Sequence, residues 1–189
     1  MKIASIDFET ANYSRVSMCA AGLALFADDE LVESLSWLVR PPQGHDWFVT
    51  MFTEEIHGLR LEDVQDAPEF PAVAPEFLAR LAQADLVIAH NAAFDTGVLR
   101  ATLNHFGLVM PEFDYACTCS VARRIWPELP NHQLNTLAAH IGHEFQHHQA
   151  QADAETAGRV WLGMMKHAGA TTVEELLGKA GVGVRKFVA

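Results

Sequence analysis

Asp7 and Glu9 stand two apart in a run whose alternate members, Ile6 and Phe8, are apolar. On a strand, residues i and i+2 point to the same face. Two carboxylates held about 7 Å apart on one face repel each other. Exposure, protonation or a bound cation relieves that repulsion. The alternation with Ile6 and Phe8 favours a strand inside a sheet, and paired oxygens at its end suit Mg²⁺ or Mn²⁺. Two solvated acids on an edge strand are the plain alternative.

Two further carboxylates stand where helices begin. Asp95 follows the apolar run Leu86–Ala89 and the link His90-Asn91-Ala92-Ala93-Phe94. The helix dipole favours an acid in a first turn, which accounts for Asp95 without chemistry. Loops after sheet strands are also where sites gather. Asp153 lies early in the longest helical pattern, just after His147-His148 and among Ala150, Ala152, Ala154 and Ala157. Small side chains permit close packing, which would draw Asp153 into a cleft; an exposed surface acid is the alternative.

In chain order, Ile6-Asp7-Phe8-Glu9-Thr10, His90-Asn91-Ala92-Ala93-Phe94-Asp95 and His148-Gln149-Ala150-Gln151-Ala152-Asp153 resemble the DEDDh family of 3′–5′ exonucleases. That family includes the epsilon proofreading subunit of bacterial DNA polymerase III, ribonuclease T and oligoribonuclease. Ile56-His57-Gly58-Leu59 is similar to a segment found there between the first two motifs. The tyrosine-type relatives carry Tyr four residues before the last Asp. Gln149 holds that place here and His148 stands five before, which marks the histidine type. The resemblance spans about residues 2–165.

It implies a ribonuclease-H-like α/β fold, with a mixed five-stranded sheet flanked by helices. It implies two divalent cations, Mg²⁺ or Mn²⁺, with Asp7 bridging both, Glu9 and Asp153 completing the first, and Asp95 holding the second, partly through water. His148 would be the general base. The backbone at Thr10 and Ala11 would meet the sugar of the terminal nucleotide, Phe94 and His57 would lie near its base or ribose, and Asn91 near the strand backbone. The implied partner is the 3′ end of DNA or RNA, mainly single-stranded, with nucleoside 5′-monophosphates as products. A module of the same fold that holds 3′ ends without cutting is the alternative. Some members of the family form homodimers.

The elements that must position these residues are legible in outline. Lys2–Phe8, Met18–Phe26 and Glu30–Val39 read as strands, with Asp28-Asp29 as a turn, and form an antiparallel meander. Thr53–His57 reads as a short helix stopped by Gly58, and Ala72–Ala84 as a second helix. Leu86–Ala89 is a strand buried on both faces, followed by a helix over Phe94–Phe106. A strand at Phe113–Thr118 leads to a short helix ending near Trp126, then to helices over Leu134–Ile141 and Gln149–Lys166. Thr171 or Thr172 could cap a last small helix over Val173–Leu177, and the glycine-bearing stretch 178–189 reads as a mobile tail. Meander followed by βαβ units gives a mixed sheet with helices on its faces. One domain over 1–168, with a short helix and tail over 169–189, is the expected organisation.

Composition excludes several classes. Half of the 189 residues are apolar, enough for a sizeable core and too many for a disordered chain. The longest uncharged apolar stretch, Val16–Ala27, falls short of the roughly 20 residues that span a bilayer. No signal peptide is read at the N-terminus, and Cys19, Cys117 and Cys119 make no disulfide framework, so a reducing cytoplasm and buried thiols are expected. Cys117 and Cys119 with the His-rich stretch 140–148 form the rival chemistry, a zinc hydrolase. The net charge of −11 speaks against gripping long duplex DNA by phosphate neutralisation. All of that excess lies in residues 1–99, where five Lys/Arg meet sixteen Asp/Glu. Arg123, Arg124 and Arg159 read as solvated helix residues outside the site. The short stretch beyond Asp153 leads to the expectation of a free-standing nuclease without a large polymerase-docking segment.

Overall fold

A computed structural model describes residues 1–188, so the last residue of the expected tail lies outside the described residues. Six strands form one sheet in the order β3-β2-β1-β4-β5-β6. They are β1 (Lys2–Thr10), β2 (Met18–Ala27), β3 (Glu30–Leu38), β4 (Leu86–Ala89), β5 (Phe113–Cys117) and β6 (Arg185–Phe187). β1, β2 and β3 pair antiparallel, as the meander requires, and β4 and β5 add parallel strands beside β1. Asp28 and Asp29 both take positive φ, 51° and 66°, the conformation that closes a tight hairpin between β2 and β3.

The strand count is therefore six rather than five. The additional strand forms in the stretch read as a mobile tail. β6 pairs antiparallel with β5, and Phe187 is fully buried, its ring stacked on Phe113 at 4.6 Å. Gly181, at φ 64°, ends the last helix instead of loosening a tail. Three residues just beyond Gly183 carry no periodicity of their own, and only pairing with a distant strand orders them.

Among the described residues seven α-helices flank the sheet: α1 (Leu61–Val64), α2 (Phe70–Leu81), α3 (Ala93–His105), α4 (Thr118–Ile125), α5 (Leu134–His140), α6 (Ala150–Ala168) and α7 (Val173–Ala180). A single π-turn covers Phe52–Ile56, near the short helix expected over Thr53–His57. Thr172 caps α7 by accepting from the Glu175 N–H. None of these helices is long and apolar enough to cross a membrane.

The two faces of β1 belong to different cores. Ile6 and Phe8 pack with Val73 and Phe77 of α2 and Val98 and Leu99 of α3. Ile3, on the other face, packs with Phe26 and the side chains of α4, α5, α6 and α7. Asp7 and Glu9 share the parity of Ile3, so the pleat aims them at the α6 side. Glycine lets α6 come close enough to meet them. Gly22 is the register partner of Asp7, and a Cβ there would collide with the Ala150 carbonyl. Further along, Gly158 lies against the Phe26 ring in the same way.

Candidate active site

The site lies where β1, β4 and the start of α6 converge. β4 pairs with β1 only from Ile3 to Ser5, so β1 runs on beyond its parallel neighbour. A crevice at the carboxyl ends of parallel strands is the usual ligand position in open α/β sheets. A β-bulge between Glu9 and Thr10 ends the regular pairing and adds twist at this point.

Asp7, Glu9 and Asp153 each bring a carboxylate oxygen within 4.8 Å of the others. Asp95, in the first turn of α3, accepts the Phe8 N–H through Oδ1 at 3.1 Å. Its Oδ2 is buried without any partner. Asp95 is thus not spent on capping its own helix; it is tied to β1, beside Asp7. Asp95 and Asp153 are almost wholly buried, at 1% and 4% exposure. Four acids gathered this way oppose one another's ionisation. Burial first, then Asp95, Glu9 and Asp153, raises Asp7 well above the usual carboxylate range. Burial, then Asp153 and Asp95, pushes Glu9 to about 8. Asp95 also rises to about 8 through burial and Asp153, although its backbone hydrogen bonds act against the rise. An all-oxygen donor set, a carboxylate oxygen orphaned in the interior and mutual repulsion fit a hard divalent cation.

The histidines divide their tasks in a way the spacing did not announce. The His147 Nδ1 contacts both carboxylate oxygens of Asp153, at 2.9 and 3.1 Å. His148 reaches Asp153 through its backbone N–H, at 3.1 Å. Its ring stacks on His147 with centroids 3.8 Å apart. His148 also takes a left-handed backbone, φ 66°, as does Asn91, which lines the same cavity. Burial and the neighbouring His147 lower the His148 pKa, while Asp153 opposes the fall. The adjacent His-His pair was the available signal for His147.

Two cavities meet at Asp7. The smaller, about 250 Å³, is lined by Glu9, Thr10, His57 and Phe94, together with Phe52 and Ile56 of the π-turn. The larger, about 610 Å³, is lined by Asn91, His148 and Asp153, with Arg123, Gln133 and Asn135 among its polar walls. Arg123 therefore faces the site region, contrary to the reading that set it aside. Ile56 stood in the segment similar to the family, whereas Phe52 had no sequence signal, because the π-turn buries no residue.

Two expected substrate residues have polar groups already engaged within the protein. Ala11 is buried, lines neither cavity, and has both backbone groups in use: its N–H donates to Ser17 and its carbonyl accepts from Val49. His57 lines the smaller cavity, but its Nδ1 accepts the Leu59 N–H at 3.0 Å, so its Nε2–H donates to the Thr10 carbonyl at 3.1 Å. Burial lowers its pKa, which keeps this neutral form. Both nitrogens are spent on holding the strand end, leaving ring carbons for any ligand. His90 is likewise structural: it bonds the His132 carbonyl and Thr118, and burial takes its pKa down to about 4. Neither group of convergent metal-type ligands among the described residues includes a cysteine, although one of them joins His147 and His148 to Asp153.

Comparison with known proteins identifies the family. A family model described as Exonuclease, RNase_T, matches residues 6–161. The PolC-type DNA polymerase III of Oceanobacillus iheyensis is 32% identical over 155 residues, 80% of this chain. That of Clostridium perfringens is 30% identical over 159 residues, 82% of the chain. The chain spans about a tenth of the length of these relatives. Among solved structures, Exonuclease X in complex with 5′ overhanging duplex DNA aligns with TM-score 0.73 and 24% identity, over 95% of this chain and 99% of that one. The nuclease domain of 3′hExo, a DEDDh family member bound to rAMP, aligns with TM-score 0.72 and 15% identity, over 87% and 92%. The RNase_T match covers every motif residue from Asp7 to Asp153, and the chain belongs to that exonuclease family.

Proposed function

We propose that this chain shortens nucleic acid strands, mainly single-stranded, one nucleotide at a time from the 3′ end, releasing nucleoside 5′-monophosphates. The observation that carries the proposal is the gathering of four carboxylates around the end of β1, with Asp95 Oδ2 buried and unpartnered. Asp7, Glu9, Asp95 and Asp153 would hold two divalent cations, Mg²⁺ or Mn²⁺. Bound there, such cations offset the charge of the phosphodiester and make a water more acidic. His148 accepts the proton of the attacking water. Its lowered pKa leaves the ring neutral around pH 7, the form that can act as a base. The water oxygen forms the new bond to phosphorus and the bond to the 3′-oxygen breaks. The remaining strand keeps a 3′-hydroxyl, and the released nucleotide keeps the phosphate.

The terminal nucleotide occupies the smaller cavity, against Phe94, Phe52 and Ile56, with Thr10 and His57 as its inner wall. Asn91 meets the strand backbone from the larger cavity. Digestion of an unlabelled oligonucleotide in ¹⁸O-water tests the chemistry. The expected product is a nucleoside 5′-monophosphate carrying one ¹⁸O in its phosphate. Nucleoside 3′-phosphates as products, or intact strand that is merely bound, would overturn it, the latter in favour of an end-binding module.

A further inference from the structure

We propose that Arg15 is a substrate-positioning residue that holds a backbone phosphate of the strand, other than the one being cut; this rests on the exonuclease reading above. Arg15 stands in the turn between β1 and β2, which is stiffly held. The Asn12 side chain donates to the His45 and Trp47 carbonyls, at 2.9 and 2.7 Å, and accepts the Ser14 N–H. From this turn the Arg15 Nη1 donates to the Ala93 carbonyl at 3.0 Å. Ala93 immediately precedes Phe94, a wall of the smaller cavity, and lies two residues from Asp95. The guanidinium is thereby fixed against the exposed face of the first turn of α3, the turn that also carries Phe94 and Asp95.

Its seat is made by a missing side chain. Gly97 lies one turn beyond Ala93 on the same face of α3, and a Cβ there would occupy the place of the Arg15 Nη1. The guanidinium carries five N–H donors, and among the described residues it makes one hydrogen bond. No acid among the described residues pairs with it, whereas Arg40 pairs with Glu69 and Arg80 with Glu33. An unpaired, exposed arginine held against α3, in the half of the chain that carries the whole acidic excess, matches a phosphate in charge and donor geometry. The competing explanation is a staple that only ties the turn to α3.

The test is binding of a 5′-fluorescein-labelled single-stranded 12-mer, followed by anisotropy over a range of KCl, in the Asp7→Asn protein so that the strand stays intact. Arg15→Gln is expected to weaken binding about tenfold at low salt. The slope of log Kd against log salt should fall by about 0.7, the contribution of one single-strand phosphate. Arg15→Lys should restore most of the slope. Gly97→Ala, which evicts the guanidinium while keeping its charge, should weaken binding. Lys186→Gln removes the same charge far from the site and should leave the slope unchanged. A slope unaltered by Arg15→Gln would make the residue a staple and overturn the proposal. An equal loss in Lys186→Gln would overturn it in favour of general charge. Failure of the exonuclease reading shows separately, as a wild-type chain that leaves the 12-mer uncut in Mg²⁺.

Discussion

At the residue scale, the two adjacent histidines can be told apart. His147 holds the Asp153 carboxylate through its ring, whereas the His148 ring makes no such bond and stays available for the proton transfer proposed above. His148→Ala should lower turnover by roughly 10²–10⁴-fold, the usual worth of a general base, with the Mg²⁺ concentration for half activity little changed. His147→Ala should cost far less. Steady-state kinetics across a Mg²⁺ titration reads both, and a larger loss for His147 would reverse the assignment. Much of this set was legible in the sequence. Each carboxylate alone had a plain alternative, and it was the three motifs in chain order, through the family they resemble, that singled out the set. The rest depends on distant segments. Phe52 and Ile56 reach the cavity from a π-turn without periodicity. His57 spends both nitrogens on backbone groups, one of them 47 positions away.

At the scale of elements, the contact of α6 with β2 sets the distance between Asp153 and Asp7. Gly22→Val should push α6 outward, destabilise the protein by about 1–3 kcal/mol and lower turnover of the folded protein as well. Denaturant unfolding and kinetics on the same preparation measure the two effects, and full activity would deny Gly22 that role. Phe187→Ala makes a useful contrast. It empties a fully buried position at the sheet edge, so about 3–5 kcal/mol of stability should be lost while the folded fraction keeps its turnover. The meander and the parallel strands were readable because alternating or wholly apolar runs separated by turn residues specify them. β6 was not, because its pairing with β5 joins segments far apart in the chain.

For the whole molecule, the gathered acids link stability to pH and to cations. Glu9 and Asp95 keep protons up to about 8 in the fold, against ordinary values of 4.5 and 3.8. Between those limits the folded state binds more protons than the unfolded chain. Stability of the cation-free protein should therefore fall as pH rises from about 4.5 to about 8. A divalent cation bound only by the fold should oppose that fall, so its stabilising effect grows with pH. Thermal unfolding in EDTA and in Mg²⁺ across this range measures it, and a melting temperature that rises with pH in EDTA would contradict it. The same arrangement reconciles an acidic chain with an anionic substrate: the net charge of −11 includes the four acids proposed to hold the cations.

The most direct measurement is a time course on 5′-labelled single-stranded DNA and RNA of one sequence, in Mg²⁺, Mn²⁺ or EDTA, beside the Asp7→Asn protein. The predicted result is a ladder that shortens from the 3′ end, requires the divalent cation and is absent with Asp7→Asn, the faster polymer marking the preferred substrate. Strands that stay intact with the wild-type chain, or a ladder that persists in EDTA or with pure Asp7→Asn protein, would contradict it.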